Sequence, residues 1–82
     1  LNLIEIKTAS FVIEKNYTIP QKLKKYNPII NSENNLIINY DKKETQLKEI
    51  IDILNEENII FNEIKTYESD LEDVFLKLVQ KK

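Results

Sequence analysis

The feature that most constrains this 82-residue sequence is the complete absence of glycine. Left-handed backbone costs a residue with a Cβ roughly 1–2 kcal/mol, a penalty that glycine alone escapes. Tight turns must therefore be made by the next most tolerant residue type, and the chain carries ten Asn. The same absence removes Gly-rich phosphate loops, both the P-loop and the dinucleotide-binding kind. Cys, His, Met, Trp and Arg are missing as well. A zinc site, a disulfide, a thiol nucleophile and a Ser-His-Asp triad are all excluded. Carboxylates, lysines, hydroxyls and four tyrosines remain. The expectation is a chain without catalytic residues, cofactor or metal.

The length suits one small domain. With 41% apolar and 32% charged residues, a modest core is within reach and disorder is not expected. No apolar run approaches the roughly 18 residues that span a bilayer, so direct membrane insertion is not expected. Fourteen Ile, ten Asn and twelve Lys give the bias of AT-rich codons and suggest a low-GC bacterial source. The start at Leu1-Asn2-Leu3-Ile4, without Met, suggests a piece of a longer protein. Net charge is −2, unevenly spread. Residues 1–43 hold seven Lys against four acids, and residues 44–82 hold five against ten. Such a balance disfavours a dedicated nucleic-acid binder but can orient a domain on a partner.

Leu1–Thr8 fits neither a helical stripe nor a strict alternation and is read as either a linker helix or a strand, with residues 1–9 taken as a linker or the end of a preceding domain. Phe11-Val12-Ile13 predicts a short strand. Thr18-Ile19-Pro20-Gln21 matches a capping box opening a short helix, Ile19 to about Tyr26, which Asn27-Pro28 stops. Ile29-Ile30 and Leu36–Tyr40 flank a polar, Asn-rich stretch, predicting a hairpin with Asn at left-handed positions and Leu36, Ile38 and Tyr40 on one face. Asp41-Lys42-Lys43-Glu44 is expected to cap a helix whose buried stripe is Leu47, Ile50, Ile51 and Leu54. Ile59 through Tyr67 reads as a strand, and Ser69-Asp70-Leu71-Glu72 as a third capping box opening a helix to about Lys81. The expected class for residues 10–82 is thus α+β: a ferredoxin-like βαββαβ antiparallel sheet with helices on one face, plus a C-terminal helix.

The last predicted helix is the most informative segment. Leu71, Val74, Phe75 and Leu78 form an ordinary stripe, while acids open the segment and Lys77, Lys81 and Lys82 close it, matching the helix dipole. Leu76 lies about 140° from Leu71 at the helical period, on a side that packing on one sheet does not require. It is either a singly exposed leucine or a contact with a second body.

Glu68-Ser69-Asp70-Leu71-Glu72-Asp73-Val74-Phe75-Leu76-Lys77-Leu78 resembles the Ser-Leu-Glu-Asp-Val-Phe-Leu-x-Leu ending of bacterial ABC-transporter ATP-binding subunits of the drug- and antibiotic-export type. It is also similar to the regulatory domains that follow the nucleotide-binding domains of A-type lipid exporters. The likeness is closest over Leu71–Leu78 and extends as a pattern of elements from about Ser10 to Val79. It departs at Asp70, where the family has Ser. The resemblance implies a non-catalytic regulatory or assembly domain, with the ATP- and Mg-binding residues upstream in the parent chain. Implied partners are the nucleotide-binding domain of the same chain, a second ATPase subunit, the membrane permease and a second copy in a homodimer. The implied location is cytoplasmic, at the inner face of the cell membrane through the permease. Implied contact residues are Leu71, Glu72, Asp73, Val74, Phe75 and Leu76. Each also has a plain reading: core for Leu71, Val74 and Phe75, capping or dipole partners for Glu72 and Asp73.

Rival constellations are weaker. Asp70, Glu72 and Asp73 lack the turn of a calcium loop. Lys22, Lys24 and Lys25 with Tyr26, and Lys42-Lys43, form a basic set, and Tyr40 with Tyr67 offers aromatics for stacking bases on a sheet. A stand-alone ferredoxin-like module for RNA or a small ligand is the alternative function.

Overall fold

The computed structural model describes residues 5–68. They form a four-stranded antiparallel sheet and one α-helix, an α+β arrangement. Strand β1 is Ile6–Ile13, β2 Ile29–Ile30, β3 Asn35–Asp41 and β4 Phe61–Glu68, and helix α1 is Leu47–Glu56. A 3-10 helix, Gln21–Tyr26, lies between β1 and β2. The spatial order is β2-β3-β1-β4, so the first strand occupies the middle of the sheet.

Strand periodicity sorts the side chains. Ala9, Phe11 and Ile13 of β1 and Leu36, Ile38 and Tyr40 of β3 are all buried, and the register sets Ala9 opposite Ile38 and Phe11 opposite Leu36. Over them pack Leu23 and Tyr26 from the 3-10 helix, Ile50 and Leu54 from α1, and Ile59. The ring of Phe61 meets Phe11 edge-on, centroids 5.2 Å apart. This arrangement suits the quadrupoles of both rings. The α1 stripe is as expected: Ile50 and Leu54 are fully buried, and Leu47 and Ile51 pack at its margin.

Asparagine solves the turn problem. All three left-handed residues among those described, Asn27, Asn34 and Asn58, are Asn. Asn27, at φ 49°, ends the 3-10 helix. Asn34, at φ 63°, turns the hairpin, and its side-chain amide donates to the Ile13 carbonyl at 3.3 Å. Asn31 supports the same turn through Oδ1, which accepts from the backbone N–H groups of Glu33 and Asn35. Beyond α1, Asn58 N–H donates to the Asn55 carbonyl and Ile59 N–H to the Leu54 carbonyl. This is a Schellman closure with Asn in glycine's usual place, and Ile59 is buried beside Leu54.

Several expectations on local structure are corrected. The first strand begins at Ile6, before Phe11, so the strand alternative holds for residues 6–8 and residues 6–9 are part of the sheet. The Thr18 capping box is not formed: the short helix starts at Gln21, takes a 3-10 geometry, and has no side-chain cap at Pro20. Its two buried residues, Leu23 and Tyr26, are three apart, matching three residues per turn. Asp41 does not cap α1 either. It ends β3, its carbonyl accepting from Glu44 and Thr45 N–H and its carboxylate from Lys43 N–H. Helix α1 starts after Gln46, whose N–H donates to the Glu49 carboxylate at 3.3 Å. Strand β4 begins at Phe61, leaving Ile59 as a buried residue ahead of it.

Candidate functional site

The sheet's second face carries no helix among the described residues. Because the pleat alternates, the buried set of β1 and β3 leaves Ile6, Thr8, Ser10 and Val12 of β1 and Asn35, Ile37 and Asn39 of β3 on the opposite side. The register places Ile29 of β2 opposite Ile37, and Tyr67 and Lys65 of β4 opposite Thr8 and Ser10. Three rows of side chains therefore cross the face: Tyr67, Thr8, Asn39; then Lys65, Ser10, Ile37, Ile29; then Glu63, Val12, Asn35. The first row is tied by the Thr8 hydroxyl, which donates to Asn39 Oδ1 at 2.6 Å. Tyr67 and Ile29 are 53% and 59% exposed, two of the three large apolar side chains that stand out among the described residues.

This face is uncharged along its middle. No ionisable side chain sits on it from Thr8 to Val12 of β1 or from Asn35 to Asn39 of β3, in a chain one-third charged. A half-solvated sheet face ordinarily alternates core residues with charged or polar ones. Charges appear only at its margins, Lys65 and Glu63 on the edge strand β4 and Asp41 at the end of β3.

A charge cluster sits where β4 ends. Lys42 Nζ lies 3.0 Å from Glu68 and 3.4 Å from Glu5, and Lys43 reaches Glu5 at 3.7 Å. The hydrogen bond from Lys42 holds the Glu68 carboxyl below its ordinary range, and Glu68, then Glu5, raise the Lys42 ammonium. All these groups are solvent-facing, so salt screens them. Their effect is to hold the start of β1 and the end of β4 together, beside the sheet pair Lys7 and Glu68.

The basic set from the sequence is largely engaged. Lys22 pairs with Glu56 at 3.3 Å, Lys25 stacks over the Tyr26 ring, and Tyr26 is buried. Nor do Tyr40 and Tyr67 share a platform: Tyr40, 5% exposed, faces the core, and Tyr67 faces the other way. Burial pushes the Tyr40 phenol above its ordinary range, against the pull of the Lys42 charge. A cleft of about 540 Å³ opens at this end of the sheet, lined by Tyr26, Tyr40, Lys25, Asn39, Glu44 and Thr45 among others. A smaller one, about 370 Å³, lies at the far end between Asn55 and Phe61.

The contact residues named from the sequence, Leu71, Glu72, Asp73, Val74, Phe75 and Leu76, lie outside the described residues, as does the acidic set Asp70, Glu72 and Asp73. A second face without helices follows from the expected sheet with helices on one face, but its uncharged character does not. Its signal was present in Ile6, Thr8, Ser10 and Val12, an uncharged alternation hidden by the small residues Ala9 and Ser10. Among the described residues no helix is long and apolar enough to cross a membrane.

No family model, curated protein or solved structure matches the chain.

Proposed function

We propose that this chain is a non-catalytic accessory domain of an ABC-transporter ATP-binding subunit of the drug- or antibiotic-export type. It serves the association of ATPase subunits or their coupling to a membrane permease. Its place is cytoplasmic, against the inner face of the membrane through that permease. The observation that carries the reading is the Leu71–Leu78 sequence, which starts three residues after the last strand ends at Glu68.

The topology is consistent with it. An antiparallel sheet in the order β2-β3-β1-β4 is what a ferredoxin-like βαββαβ chain makes, each half a split βαβ unit. On this reading the 3-10 helix Gln21–Tyr26 stands where the first helix would, reduced to the two side chains that fill the core above β3. Without glycine the chain cannot form a Gly-rich phosphate loop, and on this reading the nucleotide site belongs to the upstream domain.

The reading frame that encodes the chain supplies the test. A P-loop and an ABC signature are expected upstream, within a domain of about 200 residues. An independent start codon directly ahead of Leu1 would overturn the proposal. In the assembled transporter, Leu76→Asp is expected to weaken association while leaving the circular dichroism of the isolated domain unchanged. Unfolding of the isolated variant would make Leu76 a core residue and remove the contact assigned to it.

A further inference from the structure

We propose that the outer edge of β4 docks a second copy of this chain, the two β4 strands pairing antiparallel about a two-fold axis at Ile64. Strand β4 ends the sheet, and its outer edge has no strand partner among the described residues. Such an edge is a template for another strand, which charged side chains ordinarily blunt. Its backbone is poised for pairing. Ile13 N–H donates toward β3, to the Asn34 carbonyl, and Glu14 N–H donates toward β4, to the Ile60 carbonyl. Backbone groups alternate in direction along a strand. Val12, Ser10 and Thr8 therefore turn theirs to Glu63, Lys65 and Tyr67, while Ile64 and Thr66 turn theirs outward.

Side chains select the register. A two-fold axis normal to the sheet keeps both faces, so it must relate one residue to its own copy. Centred on Glu63 or on Lys65, it sets like charges opposite each other. Centred on Thr66, it sets Ile64 against Glu68. Centred on Ile64, it sets Glu63 against Lys65 of the second copy and Lys65 against Glu63, with the two Ile64 side chains between them. Both ion pairs fall at positions without backbone bonds between the copies, where Cα atoms approach to about 4.5 Å and side chains are nearest. Within one chain, neither Glu63 nor Lys65 makes an ion pair among the described residues. The shift in register between Val12 and Ile13 turns Phe61 to the core, where it meets Phe11, and leaves Ile60 on the open face. Ile60 and Tyr67, each 53% exposed, then come together across the axis. The strand carries its own complement, which favours a second copy over an unrelated strand. This edge does not use Leu71–Leu76, and the pairing stands whether or not the chain belongs to a transporter.

Sedimentation equilibrium of the full chain tests the pairing. The parent chain is expected to dimerise reversibly at concentrations up to about 1 mM. Lys65→Glu and Glu63→Lys are each expected to weaken the dimer roughly tenfold or more, with circular dichroism unchanged. Mixed in equal amounts, the two variants regain both ion pairs, and a heterodimer at least as tight as the parent dimer is expected. A parent chain that stays monomeric would leave the edge to solvent or to the rest of its own chain and overturn the proposal. A dimer indifferent to both reversals would place the association on another surface and overturn it equally, as would a mixture that stays monomeric. Should either reversal unfold the sheet, Thr66→Pro decides. It removes only an outward N–H and is expected to leave a folded monomer, and a dimer that survives it would refute the edge pairing.

Discussion

Leu23→Ala asks whether a six-residue 3-10 helix is part of the core or a decorated loop. Leu23 is completely buried, packed with α1 and β3, while its neighbour Lys24 is exposed. Truncation removes three carbons, about 2.4 kcal/mol of transfer free energy at ~0.8 per methylene. The unfilled cavity raises the expected loss to about 3 kcal/mol. A domain of this size has a total stability of about 4–12 kcal/mol, so the variant sits near the edge of folding. Leu23→Val, which removes about one methylene, should lose ~1 kcal/mol and bracket the result from below. Urea unfolding followed by far-ultraviolet circular dichroism and tyrosine emission reads all three. With a slope of about 1 kcal/mol per molar urea, the Leu23→Ala midpoint should fall by about 3 M. Lys24→Ala should move stability by no more than about 0.5 kcal/mol. A Leu23→Ala loss below about 1 kcal/mol, or one equal to that of Lys24→Ala, would mean that the helix does not fill the core.

Asn58→Ala should lower the melting temperature by about 5 °C, since Ala at φ 57° meets the left-handed penalty, whereas Asn58→Gly should not lower it. At Asn34 glycine should be a poorer replacement, because it loses the side-chain bond to the Ile13 carbonyl; melting curves of the two glycine variants make the comparison. Glu49→Ala should lose about 0.5–1 kcal/mol in denaturant titration, leaving the Gln46 N–H without its carboxylate acceptor. The depressed Glu68 carboxyl contributes stability that is present at neutral pH and lost as pH falls through the carboxylate range. The raised Lys42 ammonium contributes below the lysine range and loses its effect as pH rises through it. Lys42→Met should therefore flatten the acid limb of stability against pH at low salt; an acid limb parallel to the parent's would refute the pairing.

What was legible in the sequence is what period and turn chemistry fix locally. Leu36, Ile38 and Tyr40 alternate without interruption, and the structure buries all three. Leu47, Ile50, Ile51 and Leu54 recur at helical spacing, and they form the inner face of α1. The Asn-rich hairpin turned where its composition indicated, with Asn34 left-handed. The misread places are those where a residue had two local options and tertiary pairing chose between them. Asp41 can cap a helix or end a strand, and pairing with Ile6 kept it in the sheet. Ile6–Ser10 looked irregular because Ala9 is buried yet small, and only β3 and β4 on either side reveal it as strand. Thr18 stands too far from Leu23 and Tyr26, whose three-residue spacing selects a 3-10 turn that begins after Pro20. The uncharged alternation of Ile6, Thr8, Ser10 and Val12 shows within β1 alone, but its extension into a patch with Ile37 and Asn39 exists only once β1 and β3 are in register.

The central position of β1 also sets when this sheet can form. Ile6 pairs with Asp41 and Lys7 with Glu68, closing loops of roughly thirty-five and sixty residues, while only β2 and β3 are joined by a short turn. Most of the ladder is long-range, which places folding toward the slow end for a domain of this size. During synthesis the Ile6–Ile13 strand emerges ahead of both its partners: the edge that β3 takes stays unpaired until residue 41 has left the ribosome, and the edge that β4 takes until residue 68 has. For that interval Phe11, Val12 and Ile13 are exposed on an open strand, the kind of segment on which nascent chains aggregate or chaperones bind. Slowing translation after the hairpin should lengthen that exposure, and slowing it after Glu68 should not.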